Sequence, residues 1–411
     1  MDTRRKLTIL ADAAKHDASC ASGGSRRKTP EGGLGNTEGM GICHSYTPDG
    51  RWVSLLKILL TNFCVFDCAY CESRISSDVP RARFSPEEVV TLTLDLYARN
   101  YIEGLFLSSG ILKDADTTMN ELAAVASLLR EKHAFGGYIH LKAPPGVSAD
   151  LLHRAGKHAD RLSVNMELST DEDLARLAPE KSHQAIESVM SAVRTGIVEA
   201  ADERRTFTPA GQTTQIIIGA TAADDRTILT TSDRVYREHG LKRVYYAAFS
   251  PIVHHARNLP AKSPPLVREH RLYEADWLVR QYGFALEELF GEGQTHLDLA
   301  IDPKLAWALR HREHFPVDVN VAPRETLLRV PGLGVRNVTR ILAARRHRAL
   351  RLADLARMRV ALRRASAFIV TADGPQPLAR QIDTLGLRAL VEPPKQLNLF
   401  DAKANALSGE L

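Results

Sequence analysis

Thr61-Asn62-Phe63-Cys64-Val65-Phe66-Asp67-Cys68-Ala69-Tyr70-Cys71 decides the reading of this chain, and it follows directly on the apolar run Leu55-Leu56-Lys57-Ile58-Leu59-Leu60. Thiolates are soft ligands. Three of them at CxxxCxxC spacing on one loop can hold three irons of a [4Fe–4S] cube and leave the fourth iron without a cysteine. A structural zinc would want a fourth ligand, and no His or Cys follows Cys71 within easy loop reach. A redox dithiol of the CxxC kind would not need Cys64.

The spacing, with the aromatic Tyr70 just before the last cysteine, resembles the signature of the radical S-adenosylmethionine (SAM) superfamily. The resemblance implies a cluster held by Cys64, Cys68 and Cys71, whose open iron binds the amino and carboxylate groups of SAM. It also implies reductive cleavage of SAM to a 5′-deoxyadenosyl radical, and an electron donor such as flavodoxin or ferredoxin.

The chain has 411 residues, enough for two or three domains. Its net charge of +5 excludes a general polycation, so any nucleic-acid footprint must be local. Five cysteines, three of them in one motif, suggest a reducing cytosol rather than a disulfide scaffold. The start lacks a secretory apolar region, and no run of about 18 apolar residues predicts a membrane span. The expected location is cytoplasmic.

Residues 1–50 form an N-terminal segment with a short helix around Leu7–Ala14. Cys20, and Cys43 with His44, could ligate a second metal or cluster, or be buried or substrate-proximal thiols; the sequence leaves this open. Residues 51–255 alternate apolar strands with amphipathic helices, which predicts a parallel βα array. Strands are expected at Leu55–Leu60, Gly104–Ser108, Gly137–Leu141, Arg161–Glu167, Thr214–Ile218 and Arg243–Phe249. A helix should begin at Ser85-Pro86-Glu87-Glu88, where Ser caps and acidic residues suit the dipole. Six units fit the partial (β/α)6 TIM-like barrel that the resemblance implies, with polar strand ends facing the active site.

By the same resemblance, Ser108-Ser109-Gly110 stands where the glycine-rich SAM amino-group motif lies, through backbone and hydroxyl groups. Asn165 and Glu167, two residues apart on one strand face, stand at ribose- and carboxylate-binding positions. Gln215-x-Ile217-x-Gly219 partly matches a GxIxGxxE pattern, with Gln215 for its first Gly and Ala222 for its Glu. Tyr70, Ser108, Ser109, Gly110, Asn165, Glu167 and Gly219 are thus the cofactor-binding candidates. His140 and Lys142 could face substrate.

Residues 256–315 read as a linker and helical bridge. Residues 316–372 read as a small all-α module in which Val330-Pro331-Gly332-Leu333-Gly334 joins two helices. This resembles a helix-hairpin-helix. Gly332 and Gly334 would admit a phosphate to the amides of the following helix, and Arg336 and Arg340 supply charge without reading bases. The tail, 373–411, carries Gln396-Leu397-Asn398-Leu399-Phe400, which looks like the bacterial sliding-clamp-binding motif; its contacts would be Gln396, Leu397, Leu399 and Phe400.

Nearly end to end, the chain resembles the bacterial family of DNA modification/repair radical SAM proteins. Ala18-Ser19-Cys20, Cys43 to Arg51, Tyr101 to Gly110, and Phe315 to Asn320 carry that resemblance. It implies DNA as the polymer, with RNA the alternative, and a partner similar to uracil-DNA glycosylases. Two other functions are weighed against a radical enzyme. A glycosylase with a structural cluster would need four cysteines after the hairpin and a catalytic Lys where Arg336 stands. A non-enzymatic iron–sulfur adaptor would have no use for SAM contacts at the strand ends.

Overall fold

The structure, a computed structural model, describes residues 1–14, 42–46, 52–251 and 258–375. Cys20 and the peptide Gln396, Leu397, Leu399 and Phe400 lie outside the described residues, as do the side chains of Cys43 and His44. The chain divides into two compact units. The first comprises Met1–Ala223 with Thr231–Pro264, and the second comprises Asp224–Thr230 with the residues from Pro265 onward.

The first unit is built on a seven-stranded sheet whose strands lie side by side in chain order. They are β1 (Ile42–Tyr46), β2 (Trp52–Leu59), β3 (Gly104–Ser108), β4 (Tyr138–Lys142), β5 (Arg161–Ser163), β6 (Gln212–Ile218) and β7 (Arg243–Ala248). From β2 to β7 every pairing is parallel, which gives six parallel strands curled into a half-barrel. The sequence did not announce β1, which pairs antiparallel with β2 and sets Cys43 opposite Leu55. Helices cover the crossovers: α2 (Pro86–Ala98), α3 (Ala115–Ser127), α4 (Ala149–His158), α5 (Asp171–Leu177), α6 (His183–Asp202) and α7 (Asp225–His239). Helix α2 starts where expected: Ser85 and Glu88 form a reciprocal capping box behind Pro86. The N-terminal helix α1 (Thr3–Ala13) is tied to it by Lys6, whose Nζ lies 2.7 Å from the Glu88 carboxylate.

One strand departs from its expected span. Strand β5 stops at Ser163 rather than running to Glu167, because the Thr214 side chain takes over the ladder. Its hydroxyl donates to the Val164 carbonyl (2.7 Å) and accepts from the Met166 amide (2.9 Å). Pairing resumes for one residue at Glu167, whose φ is +65°. A non-glycine residue there is strained by about 1 kcal/mol, and such strain collects at functional sites.

The second unit contains α8 (Leu266–Tyr282) and α9 (Pro303–Arg310), which the sequence reading assigned to a bridge, followed by β8 (Val317–Asp318), α10 (Arg324–Arg329), α11 (Val335–Ala344), α12 (Leu352–Arg357), α13 (Leu362–Ala365), β9 (Ile369–Thr371) and β10 (Gly374–Pro375). The module is therefore not all-α. Strands β8, β9 and β10 form a small sheet, in which β-branched Val317 and Ile369 stand opposite each other in parallel register. Its core holds charge as well as hydrocarbon. Glu274 and Asp276 are buried on α8 and paired with Arg271 and Arg280 at 2.6 Å.

Burial lifts the Glu274 carboxyl from its ordinary 4.5 to about 7; Arg271 opposes this and Asp302 reinforces it. A carboxyl that binds its proton more tightly when folded loses stability as pH rises from about 4.5 through about 7. Thermal unfolding should therefore show a stability loss on the order of 1–3 kcal/mol across that window. Glu274→Gln should flatten it. An unchanged pH profile in the variant would count against the assignment.

Candidate cluster and cofactor site

The three cysteines sit on the loop that leaves β2. That loop has little regular structure, so its geometry comes from specific hydrogen bonds. The Arg81 guanidinium donates to four backbone carbonyls: Asn62 near its start, and Ser73 (2.8 Å), Arg74 (2.6 Å) and Ser77 (2.8 Å) beyond the last cysteine. The side chain of Asn62 bonds Pro80 and Ala82, both at 2.8 Å. The loop's outer wall is stitched to the segment around α5: the Ala69 amide donates to the Leu177 carbonyl and the Asp67 amide to Glu180 Oε1. Cys64 Sγ accepts from the amides of Phe66 and Ile111, both at 3.4 Å. Hydrogen bonds of this kind tune the potential of a sulfur-bound cluster.

All three thiols are free. Burial pushes Cys68 up to about 11 and Cys71 up to about 12, with the neighbouring thiols adding to the effect. Lys181 is the opposing charge. Its side chain is 13% exposed, and its Nζ donates to Glu167 Oε1 at 2.7 Å and lies 5.9 Å from the centre of the Tyr70 ring. Burial alone would pull Lys181 down, but Glu167, Tyr70 and Cys68 outweigh it and hold it well above its ordinary value.

The structure brings most of the expected residues together. Tyr70 packs with Ala69 against the apolar cluster of Leu168, Leu177, Ala220, Phe249 and Leu259, which places it beside the turn after β6. Asn165 and Glu167 meet, Nδ2 to Oε2, at 3.4 Å. They do so through the irregular backbone after β5, not through the strand alternation expected for them. Ser108 is buried at the end of β3, and its carbonyl accepts from the Leu60 amide. Ser109 turns its hydroxyl onto the Gly110 carbonyl at 2.7 Å. Gly110 and Gly219 have packing reasons to be glycine. A Cβ on Gly110 would lie 2.3 Å from the Phe63 carbonyl oxygen, and Gly219, at φ +78°, presses on Pro264. His140 bonds Ser163 Oγ at 2.8 Å inside the sheet, and burial holds it well below its ordinary value, so it stays neutral.

Arg81, Lys181 and Thr214 escaped the sequence reading. Each is a common residue type in a loop or strand, and its role exists only once distant backbone is folded around it. A site Lys in Pro179-Glu180-Lys181-Ser182 carries no local signal.

The family model that matches is "Radical SAM superfamily", over residues 58–199. This chain carries a radical SAM domain. Proteins of that superfamily use a [4Fe–4S] cluster and SAM. Among the solved structures to which the chain is similar are three proteins. The first is the FeFe-hydrogenase maturase HydG from Carboxydothermus hydrogenoformans (15% identity, 52% of this chain and 48% of that one, TM-score 0.39). The second is methylornithine synthase, PylB (16% identity, 48% and 54%, TM-score 0.39). The third is a radical SAM methyltransferase from Sphaerobacter thermophilus (14% identity, 57% and 69%, TM-score 0.40). The similarity spans about half the length of the first two. No curated protein matches the chain.

The site fits those cofactors. Cys68 and Cys71, which burial disfavours as thiolates, require a cationic group to hold them ionised, and Cys64 stands on the same loop to share it. Two buried polar atoms, Tyr70 Oη next to the thiols and Asn165 Oδ1 on the residue that meets Glu167, have no hydrogen-bond partner among the described residues. A polar cofactor would complete them.

Arg81→Met removes four charge-assisted hydrogen bonds at once. We expect the cluster-free protein to lose about 2–4 kcal/mol in urea unfolding. Iron content after anaerobic reconstitution should fall with it, and Arg81→Lys should restore only part of either. Full iron loading in Arg81→Met would show that the loop holds its shape without the guanidinium.

Proposed function

We propose that this protein is a radical SAM enzyme acting on nucleic acid, with DNA as the polymer. One observation supports the enzyme reading above others. The three cysteines, the Lys181–Glu167 pair, and the Tyr70 and Asn165 atoms without partners among the described residues follow the carboxyl ends of parallel strands, where barrel enzymes place their chemistry. With cluster and SAM bound, the site would supply a 5′-deoxyadenosyl radical able to take a hydrogen atom from a substrate carbon.

The chain's own residues would do the rest. Cys64, Cys68 and Cys71 would hold the cluster. Asn165 and Glu167 would bind polar groups of SAM, and Lys181 would hold the Glu167 carboxylate in place. Leu168, Leu177 and Phe249 close the apolar side of the site against water. Lys57 and Lys142, each about 6 Å from the centre of the Phe106 ring, give the sheet's inner face a basic character suited to an anionic substrate.

Support for nucleic acid comes from the second unit. Residues 316–375 hold twelve Arg, no Lys and four acidic residues, a net of +8 in a chain whose total is +5. Some of these arginines are structural: Arg345 donates to the Val319 and Ala322 carbonyls, and Arg348 pairs with Asp354. Arg336 and Arg340 are exposed on the first turns of α11, directly after the turn at 330–334. That turn is itself buried. Gly332 has φ +81°, and a Cβ there would lie 2.9 Å from the Ala361 carbonyl oxygen. Replacing Gly332 would damage the module, so the arginines are the sound probes.

The test of the enzyme is 5′-deoxyadenosine formation by reconstituted, reduced protein given SAM, with and without DNA. Wild type should form it and Cys68→Ala should not, with DNA changing the yield. An intact cluster that neither binds nor cleaves SAM would overturn the proposal. For the polymer, Arg336→Gln with Arg340→Gln should weaken DNA binding at low salt. The slope of log affinity against log salt should become shallower by about 2, one phosphate contact for each residue. An unchanged slope would remove α11 from the interface.

A further inference from the structure

The second unit carries a set of metal-ligating side chains unrelated to the cysteines. His311, Glu313 and His314 lie within four residues, where α9 ends and a single 3-10 turn (Arg312–His314) follows. The turn is fixed by its backbone: the His311 amide donates to the Trp307 carbonyl (3.0 Å) and the His314 amide to the His311 carbonyl (3.2 Å). Each of the three side chains offers one ligand atom, and these atoms lie within 4.8 Å of one another. One carboxylate oxygen, Glu313 Oε1, is 3.2 Å from His311 Nδ1 and 3.7 Å from His314 Nε2. Ligand bonds of about 2.0–2.2 Å place neighbouring donors in a tetrahedron about 3.3–3.6 Å apart. Two of the three separations already lie near that range.

Both imidazoles are also oriented in advance. Trp307, buried at 2% exposure, stacks on His314 (ring centres 5.6 Å apart, planes 10° apart) and lies tilted against His311 (4.8 Å, 32°). Its indole is braced in turn by Phe284 and by the Arg329 guanidinium, 4.8 Å from the ring centre. Ligand rings held by packing lose little freedom when an ion arrives.

A second group of the same size makes a useful contrast. Glu187, Glu238 and His239 also converge, but the Arg234 guanidinium already occupies both carboxylates at 2.6 and 2.9 Å. That group is neutralised from within the protein. Glu313, by contrast, has the two imidazoles as its side-chain partners among the described residues.

We propose that His311, Glu313 and His314 form a binding site for a divalent cation of borderline softness, with Zn²⁺ the best match to two nitrogens and one carboxylate oxygen. Glu313 and His314 are more than half exposed, so the ion keeps coordination positions open to water or to an external oxygen ligand. The site is of the open, three-ligand kind rather than the closed structural kind.

The test uses tag-free, full-length protein with the cluster reconstituted, so that Cys64, Cys68 and Cys71 are occupied. Zn²⁺ is titrated anaerobically by calorimetry, and the zinc-loaded protein is examined by X-ray absorption at the zinc edge. One equivalent should bind with nitrogen and oxygen donors and no sulfur. His311→Ala with His314→Ala should abolish that equivalent, and Glu313→Gln should weaken it about tenfold. Thermal unfolding without zinc should be the same for the double variant as for wild type, which separates ligand loss from misfolding. Sulfur in the zinc shell, or an undiminished equivalent in the double variant, would overturn the proposal.

Discussion

A guanidinium surrounded by carbonyl oxygens holds this structure's chemistry in place. The loop that carries the cysteines has almost no helix or strand to shape it, and it must keep three soft ligands together at the end of a sheet. Arg81 does this by gathering four backbone carbonyls from both ends of the loop. A planar cation with five fixed donors can bind several acceptors at once, whereas an ammonium cannot reproduce that fan. The remaining ties, from Asn62, Asp67 and Ala69, fasten an already folded loop to the residues around it.

Much of the first unit could be read in the sequence because its signals are local. Apolar runs of five or six residues mark the strands, and Ser85-Pro86-Glu87-Glu88 marks a helix start by capping alone. Cysteine spacing is likewise visible without a fold. The parts that were missed depend on partners far away in sequence. The end of β5 is set by a hydroxyl on β6, Thr214, about 50 residues away. The charge of Lys181 makes sense only beside Glu167 and Tyr70. In the second unit, the turn with Gly332 was legible as a turn. That its glycine faces inward, against α13, follows from packing that no spacing rule contains.

The two units handle buried charge differently. Around the cysteines, Lys181 and the buried Glu167 pair within a single site, next to polar atoms without partners among the described residues. In the second unit, buried ions pair within the module, with the Nε atoms of Arg271 and Arg364 left without a hydrogen-bond partner among the described residues. Glu274 and Asp276 have arginines from their own helix, Asp302 caps α9 and pairs with Arg364, and Lys304 donates to the Leu333 carbonyl at 2.6 Å while facing the Tyr282 ring. Burial pulls Lys304 well below its ordinary value. Charge-assisted pairs of this kind tie the helices of the small module to one another.

The order of strands in the sheet bears on how the protein matures. Each strand pairs with its neighbour in the chain, so the sheet can grow as the polypeptide leaves the ribosome, one βα unit at a time. The cysteine loop emerges early, after β2. Its sulfur at Cys64 waits 47 residues for the amide of Ile111, and the Asp67 amide waits 113 for Glu180. Until then the nascent loop presents reactive thiols without the walls that later enclose them. Iron and sulfide are therefore best delivered after synthesis has passed α5, when the receptacle exists to receive them.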